Sequence, residues 1–367
     1  MALLNYRRGP DPRRVTRTRG VTLIELMVGL LLGIVVVLVV AQVLSFAEGN
    51  KRITTGGADA QVNGSLGLYT LQREVQLAGY GLINELSVLG CPIHANHTTT
   101  GAATWPLVPV VITAGTGDAP DSVTVLYSGR SYAVPAMISV DHPTTSDRFT
   151  VRSAVGISTG DLVIAIPAMY DALTNWCGAF MVTQLVNTNQ LLHGASAWNN
   201  GAVVTPAAGY FAGDLLVNAG QMVRRTFSVT AGYSLQQQTL NVTSGAMDSQ
   251  ELFPQIVNLR ALYGKDTNGD SIVDTYDRTT PTTNAGWLQV QSVRIALVAR
   301  SNSYQKEEVT VASPLWDVGK ATTVAGTSTC GASKCLTLKV DTVPDWKHYR
   351  YSVFEVTVPL RNVIWGN

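Results

Sequence analysis

The residues best suited to chemistry in this 367-residue chain lie in "DTNGDSIVDTYD", positions 266 to 277. Aligned as a twelve-residue calcium loop, it offers Asp266, Asn268 and Asp270 at positions 1, 3 and 5, the Ile272 carbonyl at 7, Asp274 at 9 and Asp277 at 12. Calcium is a hard cation that takes six to eight oxygens, and this spacing turns alternate groups toward one centre. Two departures stand out. Ser271 occupies the sixth position, where glycine makes the sharp turn, and Asp277 is shorter than the bidentate glutamate expected at the end. The same residues would also make a plain Asn-Gly/Asp turn between two strands.

Other reactive side chains are sparse. "CPIHANH" puts Cys91, His94 and His97 at metal-like intervals, but without an evident fourth ligand and with Cys91 wanted for a disulfide. His142, His193 and His348 are scattered without a companion nucleophile, which points to surface or structural roles. No G-x-S-x-G elbow and no phosphate-cradling glycine loop occurs; "NGSLG" has Gly64 and Gly67 around Ser65 at the wrong spacing. The residues therefore predict a non-enzymatic protein.

One further carboxylate is out of place. From Val21 to Phe46 the only clearly polar residues are Thr22, Glu25, Gln42 and Ser45. As a helix this stretch would run roughly 39 Å, more than the ~30 Å hydrocarbon core of a bilayer. An ionised group in lipid costs several kcal/mol unless it is paired or reaches water, so Glu25 calls for a partner.

The net charge of +1 hides an asymmetry: residues 1 to 20 carry six arginines and one acid, leaving twenty basic and twenty-four acidic residues beyond. A basic flank stays in the cytoplasm, so everything after residue 46 is expected on the far side of the membrane. Nothing beyond the basic flank suggests a nucleic-acid surface. In an exported chain the four cysteines, Cys91, Cys177, Cys330 and Cys335, imply two disulfides with three possible pairings. Pairing Cys330 with Cys335 is the simplest, and Cys91 with Cys177 then follows.

Leu68, Leu71, Val75 and Ala78 recur at helical spacing up to "AGYG", which predicts one long helix from 21 to about 79, with Gly56 and Gly57 as weak points. Beyond 81 the pattern alternates, as in Val293, Ile295 and Leu297, in Val309 and Val311 around Thr310, and in Phe354, Val356 and Val358. "SVTVLYS", "RFTVRS", "DLVIAI", "FMVTQLV" and "RTFSVT" are further strands. The expected fold class is α+β, a long N-terminal helix, transmembrane then amphipathic, packed on a β-rich globular head. A soft division of the head near 245 to 255 is conceivable.

The order of basic leader, Gly20 and "VTLIEL" resembles the class III signal of type IV prepilins and type II secretion pseudopilins. "LQREVQLAGYG" before Cys91, "ALYGKDTNGDSIVD", "VRIALVARS" and "YRYSVFEVTVPLRN" are similar, in the same order, to PilW-type minor pilins. The resemblance implies a leader of residues 1–20, a transmembrane and assembly helix at 21–46, its second half at 47–80, and an exported head at 81–367. It implies cleavage between Gly20 and Val21 by a prepilin peptidase, N-methylation of Val21, and pairing of Glu25 with the amino terminus of a neighbouring subunit. Val21 stands where the family usually has Phe. Expected partners are the inner membrane, other minor pilins, the major pilin and a tip adhesin. The resemblance also implies a head that is periplasmic before assembly and extracellular, in the pilus, after it. Expected roles are priming of a type IV pilus and, through it, twitching motility, adhesion or DNA uptake. Rival readings are a minor pseudopilin of type II secretion and a calcium-dependent tip adhesin.

Overall fold

The computed structural model describes residues 20–132, 134–200 and 204–364. The expected leader at 1–20 thus falls outside the described residues except for Gly20. Contacts divide the chain into two units, residues 1–54 and 55–367.

A single helix, Leu23–Leu77, passes through both Gly56 and Gly57 without a break. From Leu23 to Ala47 its apolar side chains are all exposed, and the span Leu23–Gly49 is long and apolar enough to cross a membrane. In the second unit the helix changes character. Leu71, Val75 and Ala78 are buried in the core at the predicted spacing, with Leu68 packed beside them. The turn after Leu77 is made by Gly79 and Gly81, both at positive φ, where side-chain-bearing residues would be strained.

Among the described residues four sheets build the head. A four-stranded antiparallel sheet runs in the order Thr275–Asp277, Ile256–Lys265, Val290–Arg300, Tyr351–Pro359. A five-stranded antiparallel sheet runs Met247–Pro254, Ser234–Leu240, Val223–Val229, Ser122–Tyr127, Val110–Thr113. The helix packs on both, sharing one core with Val123, Val125, Phe227, Leu259, Ile295 and Leu297. Gly64 belongs to this seam rather than to any phosphate loop: a Cβ there would fall 2.1 Å from the ring of Phe354.

The third sheet has nine strands, from Gly101–Pro106 at one edge to Gln184–Val186 at the other, all drawn from residues 92–220. All its pairings are antiparallel except Ile93 and His94 beside Cys177 and Gly178. The fourth is a three-stranded sheet of Leu315–Asp317, Ser333–Thr337 and Thr327–Cys330. Its core, with Trp316, Leu336 and Leu338, lies against Ala296 and Val298. Val290–Arg300 is therefore buried on both faces, which is why its alternation is weaker than that of a half-exposed strand.

Two expectations fail. Residues 245–255 mark no division, because Met247–Pro254 pairs along its length with Ser234–Leu240. Val309, Thr310 and Val311 form no strand. The Val309 and Thr310 amides both donate to the Lys347 carbonyl, and Val311 is left 88% exposed. Three residues of alternation satisfy the strand pattern but provide too few pairing groups to hold a ladder.

Candidate functional sites

At the start of the helix, Gly20 and Val21 are exposed and Thr22 and Glu25 hold each other. The Glu25 amide donates to Thr22 Oγ1 at 3.3 Å, and the Thr22 amide and hydroxyl donate to Glu25 Oε2 at 3.4 and 3.5 Å. This reciprocal T-x-x-E arrangement is a capping box. It folds the carboxylate back toward the positive end of the helix dipole. Its signal, Thr22 three residues before Glu25, was legible in the sequence and overlooked beside the transmembrane pattern. Bonds of this length are weak, so the carboxylate can be drawn to a stronger cation.

The acidic loop leaves Lys265 at the end of its strand and re-enters the sheet at Thr275. Asp266 is buried and accepts the amides of Asn268 and Gly269 on Oδ1, at 3.2 and 2.6 Å, and of Ser271 on Oδ2 at 2.7 Å. Ser271 takes φ +65°, the turn conformation for which glycine was expected. Asn268 Nδ2 lies 3.2 Å from Asp270 Oδ2 and 3.3 Å from Asp274 Oδ1, so these three side chains converge. The Thr267 amide and hydroxyl, then the Asn268 amide, bind Asp274 and hold its carboxyl below the usual range. The Ile272 amide donates to Asp270 Oδ1 at 2.8 Å.

Asp277 departs from the predicted ligand set. It lies in the strand Thr275–Asp277, opposite Tyr263, with its carboxylate 2.8 Å from Lys265 Nζ and accepting the Thr279 amide. Both carboxylate oxygens are thus engaged away from the other acidic side chains of the loop. Asp266, Asn268, Asp270 and Asp274, with the Ile272 carbonyl, remain as groups that could hold a hard cation.

Both disulfides form, Cys91–Cys177 and Cys330–Cys335, as the simplest pairing predicts. Cys91 is thereby unavailable to His94 and His97, which have other contacts. His94 lies against Trp176 with ring centroids 4.8 Å apart, and His97 Nδ1 accepts the Thr99 amide at 3.1 Å.

The structure unites two residues that the sequence left apart. His142 and His193, 51 positions distant, are buried with their Nε2 atoms 2.8 Å apart. Their ring centroids are 5.0 Å apart, nearly the greatest separation two rings can have at that N···N distance, so they meet head-on. That is the geometry of one N–H···N hydrogen bond, not of two lone pairs converging on a metal. His142 also stacks on Phe149 at 3.7 Å. Burial, with a smaller contribution from His193, pushes the His142 imidazole down to about 4. The folded state thus resists a proton that the unfolded chain accepts near 6.5. Stability from this site is complete above pH 6.5 and falls as pH drops toward 4, by about 3 kcal/mol in all. Denaturant titrations at pH 7.5 and 4.5 should show a drop that is smaller in His142→Gln; an equal drop in both proteins would remove the histidine pair as its cause.

The family described as PilW, Type IV Pilus-assembly protein W, matches residues 221–362. That region holds the whole four-stranded sheet, the acidic loop and the three-stranded sheet. No curated protein matches the chain. A solved structure, a type IV-like pilin from Thermus thermophilus, aligns over 83% of this chain and 97% of its own, at 12% identity and a TM-score of 0.33. An exposed apolar N-terminal helix and a β-rich head thus accompany a match to the PilW family over residues 221–362, the C-terminal part of the chain.

Proposed function

We propose that this chain is a PilW-like minor pilin that primes assembly of a type IV pilus at or near its tip, after a prepilin peptidase cuts between Gly20 and Val21. The observation that carries the reading is Glu25. It is a carboxylate held by weak capping bonds, one turn into the span Leu23–Gly49, whose apolar side chains are exposed. Such a helix needs lipid or other helices around it, and such a carboxylate needs a cation. The methylated amino terminus of Val21 on an adjacent subunit supplies one. The inner membrane holds the chain before assembly, and other minor pilins and the major pilin surround it afterwards. Mass spectrometry should find a mature chain beginning at methylated Val21, and Gly20→Ala should block both processing and piliation. Normal piliation by an uncut Gly20→Ala protein would refute the assignment.

A second reading, calcium binding by the head, is favoured by the convergence of Asn268, Asp270 and Asp274. Millimolar calcium should raise the melting temperature of the wild-type chain by a few degrees and leave Asp270→Ala unmoved. An equal shift in both proteins, or none in either, would exclude the loop as a calcium site.

A further inference from the structure

Arg224 carries a charge that nothing in its surroundings answers. It lies on Val223–Val229 beside Leu126, on the opposite face from the core residues Val123, Val125 and Phe227. Its neighbour Arg225 turns to the core side and pairs with Glu74 at 2.7 Å. Arg224 instead meets the Met247 sulfur at 3.6 Å and the Trp105 ring at 5.8 Å. Among the described residues no carboxylate forms an ion pair with it. Burial alone lowers its affinity for its proton, with no neighbouring acid to offset the effect.

Arg224 forms one wall of a pocket of about 170 Å³, lined also by Thr104, Trp105, Val111, Thr113 and Thr124. The walls come from both large sheets: Thr104 and Trp105 from the edge strand of the nine-stranded sheet, the rest from the five-stranded one. Thr124 and Thr226 hold their hydroxyls 2.9 Å apart across the strand pair, which extends the polar floor. Trp105 Nε1 is covered and has no acceptor. A half-desolvated guanidinium without an anion is costly, and a ligand in the pocket could relieve it.

We propose that this pocket binds the carboxylate of an acidic sugar. A single guanidinium matches one negative charge, and its fork suits the two oxygens of a carboxylate. The threonine hydroxyls can exchange hydrogen bonds with sugar hydroxyls, and the Trp105 ring offers an apolar face to a pyranose. The volume takes one ring, so the site reads a terminal or branching uronic acid rather than a long chain. The inference stands apart from the processing of Gly20 and from calcium binding.

Calorimetry on the full-length protein in detergent, with D-glucuronate and D-galacturonate as probes, tests the proposal. At least one uronate should bind with a Kd on the order of 1 mM, as expected for one charge-paired contact in a small pocket. D-glucose and acetate should each bind about tenfold more weakly or not at all, because each lacks one half of the recognition. Arg224→Gln should abolish the heat. Thr124→Glu, which lines the pocket on the strand paired with that of Arg224 and two residues from its partner Leu126, should do the same by placing an acid of the protein's own within reach of Arg224. No binding of either uronate, undiminished binding by both variants, or acetate binding as well as the uronates would each overturn it.

Discussion

Replacing Asp121 with alanine should cost the head about 3–5 kcal/mol, the penalty of breaking a buried ion pair from one side. Asp121 is 1% exposed and joins three parts of the fold. Its Oδ1 accepts Arg260 Nη1 at 3.0 Å, the Gly115 amide at 3.0 Å and a short contact from Arg278 Nη2. Its Oδ2 accepts the Ala261 amide at 3.1 Å. Arg260 itself is only 4% exposed, and without the acid it keeps just the carbonyls of Ala119 and Asp118, which satisfy its protons but not its charge. Arg260 and Arg278 fall inside the PilW-matched region while Asp121 lies before it, so this carboxylate ties the part of the head outside the match to the matched part. Asp121→Asn should lose less, because an amide oxygen can still accept. Urea denaturation of the three proteins at pH 7 provides the comparison. A loss below about 1 kcal/mol for the alanine variant would mean that water reaches both guanidinium groups, against the burial described.

What could be read from the sequence was the part fixed by local physics. Leu71, Val75 and Ala78 reveal the helix because one stripe faces the core, and Phe354, Val356 and Val358 reveal a strand because the pleat alternates. The glycines after Leu77 mark its end because they alone take positive φ without strain. Pairings between distant segments left no such trace. Nothing in "DLVIAI" states that Leu162–Ile166 sits between Cys177–Met181 and Leu215–Gly220. His142 and His193 were missed because a buried hydrogen bond across 51 residues has no periodicity. The acidic loop divided the same way. Asp266, Asn268, Asp270 and Asp274 follow from local spacing, whereas the loss of Asp277 follows from strand pairing that sets Lys265 beside it.

Removing the Cys91–Cys177 bridge should cost about 4 kcal/mol, and removing Cys330–Cys335 about 2 kcal/mol, because loop-closure entropy in the unfolded chain grows with the length enclosed. The two bridges enclose separations of 86 and 5 residues. The longer bridge also has more structure depending on it. Cys91 and Cys177 are both fully buried in a core with Leu82, Val88 and Ile93, next to the one parallel contact in the nine-stranded sheet. It fastens the segment that follows the helix to the centre of that sheet, where backbone pairing spans only Ile93 and His94 opposite Cys177 and Gly178. The shorter bridge only closes a hairpin whose strands already pair from Thr327 to Cys330. Paired Cys→Ala variants, unfolded in urea against the oxidised wild type, separate the two contributions. Equal losses would show that loop length does not govern them. A head that keeps its full stability without Cys91 and Cys177 would show that the nine-stranded sheet holds that edge through its hydrogen bonds and apolar contacts alone.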